Sequence, residues 1–139
     1  MSGRGAGSGA PTFLSLPYYL KNPDLVWAHV CALKGVLAAK EPTLAHRAIA
    51  AIERGRTGPV AITQNVDGLE AKAGFEALPL HGQVSAYHCL KQGRDIAATD
   101  VRFNSEDFPI CPEDGSLLKP GVVMFFEGIP GKRFDMALD

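Results

Sequence analysis

The sequence predicts an α/β fold of about one ordinary domain. Segments with apolar residues at three- and four-residue spacing alternate with short β-rich runs bounded by glycine. Apolar residues make up 46 % of the 139 residues, which is enough for a core. The net charge is −1 with no block of like charges, so nucleic-acid binding through a basic surface is not predicted. No apolar stretch approaches the roughly 20 residues of a membrane helix.

Two helices are predicted in the first half of the chain. The first spans residues 25–40 and ends before Pro42, because proline cannot continue the hydrogen-bond ladder. The second spans residues 44–55, with Thr43 as its N-cap and Gly55 at its end.

Strands and loops are predicted in the remainder of the chain. A buried strand is predicted over 58–63, a second strand within 77–89 and a third over 121–126. Residues 69–74 read as a short helix, and the polar stretch 90–116 reads as loop-rich.

Four polar side chains follow the first predicted strand: Thr63, Gln64, Asn65 and Asp67. Ligands of open α/β sheets bind at the carboxyl ends of strands, and amide and carboxylate groups suit a ribose. The alternative is an ordinary turn, because Asn-Val-Asp-Gly has typical turn chemistry. From spacing alone, the turn is the favoured interpretation.

His81 precedes the second predicted strand, between Leu80 and Gly82. An imidazole there is a candidate general base near neutral pH. On this residue alone, a structural or merely exposed histidine is the favoured interpretation. His29, His46 and His88 have no partner motif and receive no role.

Cys31, Cys89 and Cys111 are three in number and widely spaced. This pattern argues against a secreted disulfide framework and predicts an intracellular, reducing location.

Seven segments in one order resemble the sirtuin family of NAD-dependent protein lysine deacylases. They are SGAPTF (8–13), NPDLVW (22–27), EPTLAHRAIA (41–50), ITQNVDGLEAKAG (62–74), LHG (80–82), CP (111–112) and LLKPGVVMFFEGIP (117–130). TQNVDGL with LHG at this separation is the strongest signal. NPDLVW and KEPTLAHRAIA are most similar to the branch that removes acidic acyl groups, as in desuccinylases and demalonylases.

The resemblance implies an incomplete Rossmann-like parallel sheet of the sirtuin type. Residues 1–88 would form part of the NAD-binding region, 89–116 a reduced zinc-domain-like segment, and 117–139 a return strand. The implied reaction transfers an acyl group from a lysine of a protein substrate to the ADP-ribose part of NAD, releasing nicotinamide.

The resemblance also implies roles for individual residues. His81 matches the general base, and Val122, Val123 and Phe125 match the acyl-lysine groove. The matches to cofactor-binding positions are Gln64, Asn65, Asp67, Gly3, Ser8, Pro11 and Phe13.

Several positions depart from the family pattern. Cys89 and Cys111 match one member of each zinc-binding cysteine pair, but their partners fall on Gln92 and Asp114. This donor set favours two leftover thiols over a tight zinc site. Leu14 stands where the family has an arginine that helps to position the dinucleotide.

The acyl-lysine channel departs from the pattern as well. Val30 and Leu33 match the tyrosine and arginine that recognise an acidic acyl group, and an apolar pair cannot hold a carboxylate by charge. Phe126 replaces a glycine of the groove strand and is expected to crowd the channel.

The sequence stops before the family's second Rossmann half, so we expect a truncated, diverged member with impaired activity. The alternative is a non-catalytic remnant that binds nucleotide or a protein partner.

Overall fold

The computed structural model describes residues 12–58 and 61–138 and confirms the α/β fold. A short 3-10 helix at Thr12–Leu14 precedes the α-helices. The α-helices of the described residues are α1 (Leu16–Lys21), α2 (Pro23–Ala38), α3 (Leu44–Ile52), α4 (Leu69–Ala73) and α5 (Gly131–Leu138). The strands are β1 (Ala61–Thr63), β2 (Ala77–Pro79), β3 (Gly82–Cys89), β4 (Arg94–Ile96), β5 (Arg102–Phe103), β6 (Pro109–Ile110) and β7 (Lys119–Val122).

The strands form three small sheets. β1 and β2 pair in parallel, with Ile62 opposite Leu78, and α4 connects them. β3 is the centre of an antiparallel sheet in the order β4-β3-β7, and β5 pairs with β6. The parallel pair with its connecting helix is the reduced Rossmann-like element that the resemblance implied.

The two predicted helices are confirmed as α2 and α3. The Thr43 side chain accepts from the His46 backbone N–H, and the His46 ring accepts from the Thr43 N–H, a capping box that fixes the start of α3. α2 begins two residues earlier than predicted, at Pro23, because the fixed φ of proline suits the first helical position.

Aromatic hydrogen bonds tie α1 and α2 to the residue before β7. Tyr19 Oη–H and Trp27 Nε1–H both donate to the backbone carbonyl of Leu118, at 3.0 and 2.9 Å. The two rings are buried with apolar side chains of α2, β3 and the β7 region: Val26, Val30, Val84, Val122 and Met124. This core holds the helices over one face of the β3–β7 pair.

Three predictions of local structure were incomplete. Residues 77–89 form two strands rather than one, and the third strand is shifted to Lys119–Val122. The loop-rich stretch contains β4, β5 and β6, while α1 and α5 were not predicted at all. Among the described residues, no helix is both long and apolar enough to cross a membrane.

Candidate active site

Backbone hydrogen bonds bring three distant segments together around His81. The Val123 N–H donates to the His81 carbonyl at 2.8 Å. Two residues later, the Phe125 N–H donates to the Leu14 carbonyl at 2.9 Å, and the Phe125 carbonyl accepts from the Leu16 N–H at 3.1 Å. The segment after β7 therefore bridges the start of β3 and the N-terminal helices.

A cavity of about 520 Å³ lies between these segments. It brings together five of the sequence-predicted site residues: Phe13, His81, Val122, Val123 and Phe125. Most of its remaining wall is apolar, and the polar exceptions besides His81 are His29 and Glu127. An imidazole in a mostly apolar cavity can exchange a proton with a bound group.

Two glycines allow the strands beneath this cavity to approach each other. A Cβ on Gly82, whose φ is +74°, would lie 1.8 Å from the Gly121 carbonyl oxygen. A Cβ on Gly121 would lie 2.4 Å from the Ala86 Cβ. The glycine of the LHG motif is thus needed for backbone contact directly beside His81.

The polar side chains after β1 form some local hydrogen bonds and leave two amides unbonded. The Asp67 carboxylate accepts from the Leu69 N–H at 3.0 Å, and Gly68 has a φ of +73°, so the turn interpretation describes this backbone. Gln64 and Asn65 are exposed, and their side-chain amides bond to no described residue. Those two amides therefore remain available to a ligand.

Asp67 does not line the His81 cavity. It faces a second cavity of about 330 Å³, together with Lys34 and Lys72. Val84 contributes to the walls of both cavities, so the two are neighbours. Gly3, Ser8 and Pro11 lie outside the described residues.

The structure adds His29 to the cavity, although no role was predicted for it. Its ring packs on Phe13, with centroids 4.5 Å apart and planes at 58°. His29 lies three residues after Val26 and four before Leu33, so helical spacing places it beside the buried face of α2, although His29 itself is exposed.

Phe126 stands at the rim of the cavity. Its backbone has a φ of +66°, and the residue is 86 % exposed. A phenylalanine in the left-handed region is strained, which fits a position where the family pattern has glycine. Phe126 is also among the residues that line the cavity.

The thiols of Cys89 and Cys111 lie together with the Asp114 carboxylate. The three candidate ligand atoms are all within 4.8 Å of one another. Burial raises the pKa of Cys89, but hydrogen bonds, chiefly from Ser116, more than offset this and leave it below its usual range.

This donor set does not fit a tight structural zinc site. Asp114 already accepts from the Ser116 hydroxyl and N–H, at 2.6 and 2.9 Å, which holds its pKa at about 2. Two thiols and one engaged carboxylate fall short of the four free ligands of such a site.

The Sir2 family pattern matches residues 8–139. The chain belongs to the Sir2 family. It is 35 % identical over 157 residues to the NAD-dependent protein deacylase of Pyrococcus furiosus, covering 98 % of this chain and 62 % of that protein. It is 31 % identical over 153 residues to the NAD-dependent protein deacylase of Leptospira interrogans, covering 99 % and 62 %.

Solved sirtuin structures share the fold. A Sir2 homologue in complex with NAD superposes with a TM-score of 0.76 at 31 % identity, over 91 % of this chain and 49 % of the other. A Sir2 protein bound to an acetylated peptide gives a TM-score of 0.73 at 27 % identity, over 91 % and 55 %. This sirtuin chain therefore spans about half to three-fifths of the length of such relatives.

Proposed function

We propose that the chain carries part of the active site of an NAD-dependent protein lysine deacylase. The observation that carries the proposal is the shared cavity, which is lined by His81 and by Val122, Val123 and Phe125 at the end of β7 and just after it. The matched relatives are named NAD-dependent protein deacylases. The chain spans only part of them, so we expect its activity to be reduced.

His81 acts in this proposal as the general base. Its backbone is fixed by the Val123 N–H and by the close contact of Gly82 with Gly121, which limits how far the imidazole can shift. The ring nitrogen would take a proton from a ribose hydroxyl of the bound dinucleotide.

Side chains in two places fit chemical groups of NAD. The free amides of Gln64 and Asn65 suit the carboxamide and the ribose, and Phe13 offers an aromatic face at the cavity. Asp67 lines the neighbouring cavity and so would act on the cofactor from there. When bound, NAD supplies an electrophilic ribose carbon and nicotinamide as the leaving group.

The acyl group in this proposal is uncharged. Val30 and Leu33 line the same cavity as His81, and neither can pair with a carboxylate. Peptides carrying acetyl-lysine and succinyl-lysine test this point, and we expect faster turnover of the acetylated peptide. Preference for the succinylated peptide would contradict the apolar assignment.

Nicotinamide release tests the activity itself. The purified chain is incubated with NAD and an acetylated peptide, and nicotinamide is measured by chromatography. Loss of a general base costs on the order of 10²–10⁴-fold in rate, so His81→Ala should reduce the steady-state rate of nicotinamide release over many turnovers by that factor. A far-ultraviolet circular dichroism melt establishes that the variant is folded.

Two outcomes would contradict the proposal. Equal release by the wild-type chain and His81→Ala would remove His81 from the reaction. Calorimetric binding of ADP-ribose without any nicotinamide release would favour the non-catalytic binding remnant instead.

A further inference from the structure

Two turns that each begin at a cysteine face each other at the end of the β3–β4 hairpin. In the first, the Gly93 N–H donates to the Cys89 carbonyl at 2.8 Å, and in the second the Gly115 N–H donates to the Cys111 carbonyl at 2.9 Å. Both closing glycines have a left-handed φ, +63° and +70°. The turns are therefore built alike, and each presents one thiol.

Polar pairs already join the two turns. Gln92 Nε2 lies 3.5 Å from an Asp114 carboxylate oxygen, and Arg94 forms an ion pair with Glu113. Each pair takes one residue from the first turn region and one from the second. The thiols consequently face each other in an arrangement that does not need a metal ion.

The thiols themselves are buried, with apolar side chains on one side and Ser116 and Asp114 close by. Cys89 is 0 % and Cys111 1 % exposed, and both pack with Ile96 and Leu118. Their Sγ atoms are within 4.8 Å of each other, a separation that side-chain rotation and a small adjustment of the turns can reduce to a bond of about 2 Å. Cys31, by contrast, is exposed on α2.

We propose that Cys89 and Cys111 form a reversible dithiol–disulfide site in place of the family's zinc-binding site. A disulfide oxidant such as oxidised glutathione supplies the oxidising equivalent. One protein thiol attacks it, forming a mixed disulfide and releasing one reduced glutathione. The second protein thiol then displaces the other glutathione, so that both protein protons end on the two glutathione molecules and the Cys89–Cys111 bond forms.

The bond would close a loop containing all of β4, β5 and β6. Closing that loop restricts the unfolded chain, so the oxidised protein should unfold at a higher temperature than the reduced one. In the reduced state, the loop is held by its strand pairing, by the polar pairs on its surface and by apolar contacts.

Redox titration of the whole chain tests the proposal. The protein is equilibrated in glutathione buffers of stepped ratio, quenched with an alkylating reagent, digested and analysed by mass spectrometry. We expect a linked peptide pair containing Cys89 and Cys111 that lacks two hydrogen atoms and reverts with reductant. Cys31, the internal control, should be alkylated at ratios that have already oxidised the pair.

The same titration in urea separates folded geometry from chance pairing. Since the fold holds the thiols together, the native chain should form the bond at a glutathione ratio at least about tenfold less oxidising than the unfolded chain. Equal midpoints, glutathione adducts without a linked peptide, or one equivalent of zinc retained by the reduced protein would each overturn the proposal.

Discussion

Gly82 determines how closely β3 and β7 approach each other beneath the cavity. In Gly82→Ala, the new Cβ would overlap the Gly121 carbonyl in addition to straining a positive φ. We expect a loss of more than about 3 kcal/mol in the free energy of unfolding, measured by urea denaturation.

The matched control is Gly93→Ala. Gly93 also has a positive φ, but nothing lies within 4 Å of its added Cβ. Backbone strain alone should cost it about 1–2 kcal/mol. A similar loss in the two variants would show that the close approach at Gly82 is not a constraint.

Tyr19 makes stability dependent on alkaline pH. Burial raises the pKa of its hydroxyl to about 12, from an ordinary value of 10.0. The unfolded chain loses this proton first, so the stabilisation is complete below pH 10 and is lost as the pH rises from 10 to 12.

Comparison with Tyr19→Phe isolates that effect, because the variant cannot ionise at this position. The difference in unfolding free energy between wild type and variant should be constant from pH 7 to 9 and should fall as the pH rises from 10 to about 12. A difference that stays constant to pH 11 would contradict the assignment.

At the scale of elements, Lys119 and Glu127 fix the segment that forms one wall of the cavity. Lys119 is 2 % exposed, and its ammonium donates to the Val122 carbonyl at 2.6 Å while lying 3.2 Å from a Glu127 carboxylate oxygen. That same oxygen accepts from the Met124 N–H at 2.9 Å. Burial lowers the pKa of Lys119, and the Glu127 charge opposes this.

Removing the carboxylate in Glu127→Ala should therefore be costly. It leaves a buried ammonium without its counter-charge, so we expect a loss of about 3 kcal/mol and faster hydrogen exchange at the Met124 amide. Glu113→Ala, which removes an exposed ion pair with Arg94, should cost less than about 1 kcal/mol. Equal losses would mean that Glu127 is no more than a surface charge.

Local patterns predicted some elements well and others poorly. α2 and α3 were predicted because each has a proline or threonine at its start and apolar residues at helical spacing. α1 has only six residues, too few for that spacing to be recognised. The register shift between Gly82 and Tyr87 in β3 breaks the alternation by which a strand is read.

The candidate site could be predicted only through the resemblance. His81 and Val123 meet by a backbone hydrogen bond across 42 positions of sequence, and no local pattern records such a contact. The placement of Asp67 in a different cavity from His81 depends equally on tertiary packing. The roles assigned to these residues stay predictions until the activity measurements are made.

At the scale of the whole molecule, apolar side chains remain exposed on elements around the parallel pair. Among the described strands, β1 pairs with β2 alone. Large exposed apolar residues lie on β1 and on the helices α3 and α5: Ile62, Leu44, Ile52, Phe134 and Leu138. A sheet edge next to such surface favours association between chains.

We therefore expect light scattering to rise with protein concentration. Ile62→Lys, at the centre of β1, should raise the concentration at which association begins several-fold, because charge on a strand discourages pairing. Leu20→Lys is the matched control, since it adds the same charge at an exposed leucine of α1. If both variants act alike, net charge rather than the β1 region controls association.

Phe126 offers a consequence for protein engineering. Improvements in turnover commonly reduce stability, because active sites are strained or open. At Phe126, one substitution should increase both turnover and stability. Glycine at a φ of +66° relieves about 1 kcal/mol of backbone strain, and the same change removes a ring from the cavity entrance. A library of variants of this chain should start at Phe126. Selection for thermostability and selection for substrate access to the cavity would both enrich glycine there.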